Sequence, residues 1–318
     1  MAGYPSGMYG TVDRKWQRIL LIAGIVFLAG VVLFAGYHLL NRGTTAESQA
    51  ATSEVTYGKG ASDANSQVAA LITQAVSSLN NSPMKIIEVR DRLNEILPMQ
   101  MGVSQRKYVK EQLSKLSDEW FFSSKVLAGD KLCSSYKVQS GDLLVRIGSQ
   151  HKVPYEILME INKISKPQQL RVDDIIKVIN GPFHAKVYRS NFTLDLYLQN
   201  TFVKSFTVGL GKQGKDTPTG LWQVKSDGKL ISPTWTDPDT GKTYKASDPD
   251  YPLGSRWIAL QGIEGTAVGR AGFAIHGTKD PNQIGKAESR GCIRMYNDDA
   301  VLMYNMLMPG VSQVQVMD

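Results

Sequence analysis

The first strong pattern in the chain is a long apolar stretch near its N-terminus. Residues 19–40 are 22 positions without a formal charge, and a helix needs roughly 20 apolar residues to cross a bilayer. Three basic residues lie just before the stretch and only Arg42 follows closely, which favours a cytoplasmic tail at 1–18. Because the stretch is long and lacks a small-x-small exit, an uncleaved membrane-spanning helix is favoured over a cleaved signal peptide.

A second pattern follows in the next hundred residues. Residues 41–62 are rich in Ser, Thr and Ala and predict a flexible linker. Apolar residues then recur at the spacing of amphipathic helices, with Asp63 as a candidate start. Three helices are predicted, and they make residues 63–130 a helical spacer, with a dedicated partner-binding surface as the alternative. Their apolar positions are Val68, Leu71, Ile72, Ala75, Val76 and Leu79 in the first, the stretch from Pro83 to Leu97 in the second, and Val109, Leu113, Leu116 and Trp120 in the third.

The remainder of the chain has shorter elements. Residues 134–180 predict a strand, two short helices and a second strand. Alternating apolar residues at 192–198 and 202–208 flank Gln199 and Asn200 and predict a hairpin. A helix is predicted at 298–307, so the second half of the chain is expected to be mainly β.

Composition narrows the possible functions. At 318 residues, with 42% hydrophobic and 20% charged positions, the chain is long enough for several folded domains. The net charge of +7 is spread as +2 over residues 1–60, +3 over 61–183 and +2 over 184–318. So even a distribution lacks the concentrated basic patch that is typical of nucleic-acid-binding proteins. Two cysteines and four scattered histidines form no metal-ligand motif, so the sequence calls for no metal and no cofactor.

One glycine-rich segment carries the residues of a thiol active site. His276-Gly277 precedes Ser289-Arg290-Gly291-Cys292. Cys292 needs a base and cationic surroundings to become a thiolate, and His276 with the nearby arginines could supply both. Gly291 allows a sharp turn, so that its N–H group and that of Cys292 could face a developing oxyanion.

This segment resembles the catalytic signature of the L,D-transpeptidases of the YkuD type. Three other landmarks of that family follow the expected order, at 217–220, 252–257 and 310–314. The resemblance implies a mainly-β L,D-transpeptidase catalytic domain at 183–317. Many members carry a second histidine where this chain has Arg290, so His276 is the only candidate base.

The resemblance also implies a role for each site residue. Cys292 is the expected nucleophile, His276 the residue that manages protons, and Gly291 part of the oxyanion site. Arg290 is expected to place a fixed positive charge beside the thiol. The remaining candidates are Ser289 and Gly277, which orient the site, and Arg294 and Trp257, which bind substrate.

The region at 134–180 resembles a LysM domain, a βααβ module that binds glycans containing N-acetylglucosamine. The resemblance rests on the run from Tyr136 to Asp142 and the apolar positions that follow it. The chain departs from the usual pattern at Leu143, where threonine is common, and at Asp173, where glycine is common. Aspartate tolerates left-handed backbone geometry better than most residues, so the fold is expected to survive, and a fold kept only as a spacer is the alternative.

Together these features predict a multidomain peptidoglycan L,D-transpeptidase held at the wall by a LysM domain and by a transmembrane helix. Its expected partners are peptidoglycan stem peptides, glycan strands and the membrane, without nucleic acid, and the catalytic domain is expected to lie outside the cytoplasm of a bacterium. The cross-link expected joins the third residues of two stems through a Cys292 thioester. An L,D-carboxypeptidase, an enzyme that attaches proteins to peptidoglycan, and an inactive wall-binding scaffold stay open, and the sequence does not indicate an oligomeric state.

Overall fold

The computed structural model describes residues 65–81 and 85–318. The predicted tail at 1–18, the membrane-spanning segment at 19–40 and the linker at 41–62 lie outside the described residues. Among the residues that are described, no helix is both long enough and apolar enough to cross a membrane.

Three helices open the described part of the chain. They are α1 (Ser66–Asn81), α2 (Ile86–Ile96) and α3 (Val103–Trp120), and their apolar faces are buried against one another. Asn65 caps the first of them, because its side chain accepts hydrogen bonds from the N–H groups of Gln67 and Val68 at 3.0 and 3.3 Å. The candidate start at Asp63 lies outside the described residues.

The helices are followed by a small βααβ module, as the sequence predicted. Strand β1 (Cys133–Lys137) pairs antiparallel with β2 (Ile175–Ile179), and helices α4 (Leu144–Gln150) and α5 (Tyr155–Ile161) lie between them in the chain. Asp173 has a φ of +71°. The left-handed turn before the last strand is therefore made by aspartate in the place where glycine is common.

The second half of the chain forms a mixed eight-stranded sheet, in agreement with the predicted mainly-β domain. The strands are β3 (Phe183–Tyr188), β4 (Thr193–Leu198), β5 (Thr201–Thr207), β6 (Leu210–Gly211), β7 (Gly220–Ile231), β8 (Trp235–Thr236), β9 (Thr243–Tyr244), β10 (Arg256–Gly262), β11 (Ala274–His276), β12 (Ala287–Ser289), β13 (Ile293–Arg294) and β14 (Gln313–Met317). Their order in the sheet is β13-β11-β10-β7-β14-β3-β4-β5, and the short pairs β6–β12 and β8–β9 lie outside it. One helix, α6 (Asn297–Met306), follows β13, one residue from its predicted limits.

The helical region covers the edge strand β5 of this sheet. Helix α3 packs against β5, and the side chain of Asn94 accepts a hydrogen bond from the N–H of Phe202 at 2.8 Å. Lys110 on α3 reaches the buried carboxylate of Asp195 at 2.5 Å. An edge strand with unpaired backbone groups is a site for unwanted pairing, and here helices protect it.

A buried lysine joins the βααβ module to the helices. Lys177 on β2 is 2% exposed, and its ammonium group donates hydrogen bonds to the carbonyl oxygens of Trp120, Phe121 and Ser123 at 2.5, 3.3 and 3.0 Å. These carbonyl groups lie at the C-terminal end of α3 and just beyond it. Backbone acceptors there have no partner within the helix, and the helix dipole favours a cation. Lys177 therefore caps a helix of one module from a strand of another.

Candidate active site

Strand pairing brings the predicted base and arginine onto one face of the sheet, and the predicted nucleophile directly precedes one of the two strands. Strands β11 and β13 run parallel, with Ile275 opposite Ile293 and His276 opposite Arg294. Side chains alternate between the faces of a sheet, so Ile275 and Ile293 enter the core while His276 and Arg294 share the other face. Cys292 directly precedes β13, and the charge of Arg294 acts on its thiol.

The imidazole of His276 is held in a dry pocket. It is 4% exposed, and its Nδ1 atom lies 2.6 Å from the carbonyl oxygen of Gly277. Burial lowers the pKa of His276 to about 4, the backbone contacts with Gly277 and Leu253 oppose this shift, and the charge of Arg294 adds to it. The ring is thus neutral at neutral pH, which is the form that accepts a proton.

Trp257 fixes the plane of this ring. It lies opposite His276 on the neighbouring strand β10, and the two rings stack with centroids 5.4 Å apart and planes 19° from parallel. The sequence led us to expect a substrate contact from Trp257. That role stays a prediction, and the stacking against the imidazole also limits rotation of the His276 ring.

Cys292 is a protonated thiol at neutral pH in this environment. Its sulfur lies 3.6 Å from the carbonyl oxygen of Gly272. Burial raises the pKa of the Cys292 thiol, although a backbone hydrogen bond from Ala274 and the charge of Arg294 act in the opposite direction. The thiol and the imidazole each hydrogen-bond a backbone carbonyl and not each other, so the resting site holds two neutral groups.

The turn before Cys292 is fixed by Ser289. The buried Ser289 hydroxyl donates to the carbonyl oxygen of Cys292 at 2.7 Å and accepts from the N–H of Gly291 at 3.0 Å. Gly291 has a φ of +114°, and an added Cβ would lie 2.5 Å from the ring of Phe273. Only glycine fits this position, which explains the Gly-Cys pair in physical terms.

Gly277 is required for a different reason, the close approach of Asn297. A Cβ on Gly277 would lie 2.1 Å from the side-chain oxygen of Asn297. The Asn297 amide donates to the carbonyl oxygen of Thr278 at 3.1 Å, so it is held against the strand that carries His276. Gly277 therefore lets the start of α6 pack directly behind the base.

Arg290 faces two carboxylates. Its guanidinium lies 3.0 Å from a carboxylate oxygen of Asp237 and 2.8 Å from one of Asp239. Both aspartates belong to the hairpin between β8 and β9, and Lys215 reaches Asp239 at 3.1 Å. The charge of Arg290 is compensated by this hairpin, and Arg294 is the arginine whose charge lowers the pKa of Cys292.

Arg294 lies between the site and the loop that contains Gln283. Its backbone bonds Gly209 in both directions, at 2.8 and 2.9 Å, and its guanidinium donates to the side-chain oxygen of Gln283. Burial lowers the pKa of Arg294, and Cys292 counteracts this. The side chain is half-buried beside the thiol, where it can meet an anionic group of a bound substrate.

Sequence reasoning missed the residues that support this turn from a distance. Thr217 bonds the carbonyl oxygen of Gly291 at 2.9 Å, although the sequence showed it only as part of a Thr-Pro-Thr-Gly run. Asp237 and Asp239 carried no signal, since they lie about fifty residues from Arg290 along the chain. Across the described parts of the chain, no group of three or more His, Cys, Asp or Glu side chains is placed to hold a metal.

Comparison with known protein families gives two matches within the chain. Residues 182–316 match the L,D-transpeptidase catalytic domain, and residues 136–178 match the LysM domain. The two matches coincide with the mixed sheet and with the βααβ module described above.

Two named relatives each match about half of this chain. The chain is 26% identical over 181 residues to YkuD of Bacillus subtilis strain 168, provisionally named an L,D-transpeptidase, covering 55% of this chain and 94% of that protein. It is 32% identical over 170 residues to ErfK/SrfK of Escherichia coli K12, named a probable L,D-transpeptidase, covering 49% of each. L,D-transpeptidase 3 from Mycobacterium tuberculosis is 16% identical and covers 47% of this chain and 76% of its own, with a TM-score of 0.34 that adds nothing to the assignment.

Proposed function

We propose that this protein cross-links peptidoglycan stem peptides, on the premise that residues 182–316 are an L,D-transpeptidase catalytic domain and residues 136–178 a LysM domain. The observation that carries the proposal is the pairing of β11 with β13, which sets His276 opposite Arg294 on the strand that directly follows Cys292. This arrangement supplies a nucleophile, a neutral base and a cation within one site. The LysM domain would hold the glycan strands near it.

The first half of the reaction forms a thioester. His276 takes the proton from the Cys292 thiol as the sulfur attacks the carbonyl carbon of the third residue in a tetrapeptide stem. Arg294 stabilises the negative charge on sulfur, because its charge already lowers the pKa of this thiol. The bond from that carbonyl to the terminal D-alanine then breaks, and the leaving amine takes the proton from His276.

The second half transfers the acyl group. The neutral side-chain amine on the third residue of another stem attacks the thioester and gives a proton to His276. The carbon–sulfur bond breaks, and the proton passes back to Cys292 as the thiol leaves. A cross-link between two third residues results, and the enzyme returns to its two neutral groups.

Burial keeps the resting thiol in its protonated, weakly nucleophilic form. Its raised pKa keeps it protonated, and the low pKa of His276 makes proton transfer unfavourable until a carbonyl group is in position. The positive charge of Arg294 and the backbone donors near the sulfur then favour the charged transition state. Reactivity is thereby coupled to substrate binding.

The location of this reaction follows from the N-terminal sequence. We place residues 19–40 across the bacterial cytoplasmic membrane, with residues 1–18 inside and the LysM and catalytic domains on the outer side. The support is the uncharged stretch and the basic residues before it. Peptidoglycan lies on that side, so the proposed orientation brings the thiol to its substrate.

Incubation of the full-length protein in detergent with purified disaccharide-tetrapeptides tests this function. Mass spectrometry should find stem dimers joined between their third residues, with one D-alanine released for each dimer. Cys292→Ala should give neither product. Release of D-alanine without dimers would identify a carboxypeptidase, and the absence of any product from the wild type would contradict catalysis.

A further inference from the structure

The peptide group that joins Gly291 to Cys292 is held from one side by Thr217. The Thr217 hydroxyl lies 2.9 Å from the carbonyl oxygen of Gly291. A trans peptide group is planar and its C=O and N–H bonds point in opposite directions. Fixing the Gly291 carbonyl therefore also fixes the direction of the Cys292 N–H, which points away from Thr217.

The donor and acceptor roles of this hydroxyl follow from its second partner. Thr217 Oγ1 also lies 3.0 Å from the backbone N–H of Gly211, which can only donate. A hydroxyl has one hydrogen to give, so Thr217 accepts from Gly211 and donates to Gly291. Thr217 is 3% exposed, and its hydroxyl hydrogen can bond the Gly291 carbonyl and the Gly211 N–H can bond its oxygen at the same time.

Thr217 is itself held by a residue outside the site. The guanidinium of Arg189 donates to the carbonyl oxygen of Thr217 at 3.0 Å and lies 3.2 Å from the side-chain carboxylate of Asp318. The side chain of Arg189 is half-buried. The support thus runs from Arg189 through Thr217 to the peptide group of the nucleophile.

The alternative oxyanion donor is already engaged. The sequence indicated the N–H groups of Gly291 and Cys292 as candidate donors. The Gly291 N–H points into the turn and donates to Ser289 Oγ at 3.0 Å. Of this pair, the Cys292 N–H is left to stabilise a developing oxyanion.

We propose that Thr217 is a positioning residue of the transfer reaction: it holds the Gly291 carbonyl so that the Cys292 N–H meets the oxyanion of each tetrahedral intermediate. This inference rests on the proposed function, since it assigns a geometric role within that reaction. It predicts that removal of the Thr217 hydroxyl slows only the steps that form an oxyanion. The intrinsic reactivity of the thiol is unaffected.

Two reagents separate these effects on one protein. A carbapenem acylates Cys292 through a tetrahedral oxyanion, whereas iodoacetamide alkylates the same sulfur by displacement and builds none. Cys133 does not interfere, because it is 1% exposed and burial raises its pKa to about 12. The rate of acylation divided by the rate of alkylation therefore measures oxyanion stabilisation separately from the state of the thiol.

The informative variants are Thr217→Val, which keeps the shape and removes the hydroxyl, and Thr217→Ser, which keeps the hydroxyl. We expect Thr217→Val to lower the acylation rate by about 10²-fold and to leave alkylation near the wild-type rate. Thr217→Ser should restore most of the acylation. Thr219→Val is the matched control, because the Thr219 hydroxyl faces Thr266 at 3.3 Å and not the catalytic turn.

Arg189→Met keeps the test decisive if Thr217→Val does not fold. Arg189 bonds the backbone carbonyl of Thr217 and not its hydroxyl, so a smaller loss of the acylation rate, with alkylation again unaffected, is expected. Equal losses in acylation and alkylation, or no loss in either rate, would overturn the inference. Failure of the proposed function would look different: wild-type protein would form neither a carbapenem adduct nor a stem dimer.

Discussion

His276 and Arg294 occupy paired positions on the parallel strands β11 and β13. The charge of Arg294 lowers the pKa of His276 and also that of Cys292. A single arginine therefore favours the neutral, proton-accepting form of the base and the anionic form of the nucleophile. The charge of Arg294 thus eases the formation of a thiolate at Cys292 and adds to the resistance of the buried imidazole to protonation.

The first prediction concerns this arginine. Arg294→Gln should move the alkaline midpoint of Cys292 alkylation to higher pH, because it removes the charge that lowers the pKa of the thiol. The measurement is the iodoacetamide rate as a function of pH under native conditions.

Arg290→Gln is the matched control for Arg294→Gln. Arg290 is nearer to Cys292 in sequence, but its charge is paired with Asp237 and Asp239. Its replacement should leave the midpoint in place. If the midpoint moved in the Arg290 variant and stayed in the Arg294 variant, Arg290 would be the residue that tunes the thiol, as the sequence alone suggested.

The second prediction concerns the buried lysine between modules. Lys177→Met should lower the free energy of unfolding by about 2–4 kcal/mol, since three carbonyl groups at the end of α3 lose a buried charged donor. Lys137→Met is the control on the same module, because Lys137 is 61% exposed and pairs only with the exposed Asp173. Urea unfolding of both variants measures the difference. Equal losses of unfolding free energy in the two variants would rule out this capping role.

The catalytic turn shows how much of the site the sequence could predict. His276, Ser289, Gly291 and Cys292 were identifiable because their chemistry depends on residue type and short spacing. The partners of Arg290 were not identifiable, because Asp237 and Asp239 reach it only through the path of the chain between β8 and β9. A charge beside a cysteine in sequence therefore did not establish which charge acts on the sulfur.

The fold shows a similar division. Local patterns were sufficient for the βααβ module and for α6, where apolar spacing and turn residues agree. The cap of α1 was not predicted from local patterns. Asn65 caps the helix, and its own N–H donates to the side-chain oxygen of Gln105 on α3 at 3.0 Å. That tertiary contact holds Asn65 in place, and no local pattern indicates it. Helix packing over β5 likewise depends on contacts between distant segments.

The third prediction tests the proposed orientation in the membrane. A reporter that is active only outside the cytoplasm should work when fused after Asp318 and fail when fused before residue 14. The reason is the excess of basic residues before the apolar stretch at 19–40. Replacing the basic residues of 1–18 with glutamine is the control, and it should reduce the bias. Activity of the N-terminal fusion alone would show the opposite orientation.

The last prediction links His276 to stability at acid pH. The pKa of His276 is about 4 in the folded protein and 6.5 for an ordinary histidine. Between these values the unfolded chain binds a proton at this residue and the folded protein does not. The stability from neutral His276 is therefore complete above pH 6.5 and is lost as pH falls towards 4, with a slope of up to about 1.4 kcal/mol per pH unit. His276→Gln cannot titrate, so its unfolding free energy should depend less on pH over this interval. Urea unfolding of both proteins at several pH values from 4 to 7 measures the difference, and parallel curves would show that His276 is not held neutral by burial.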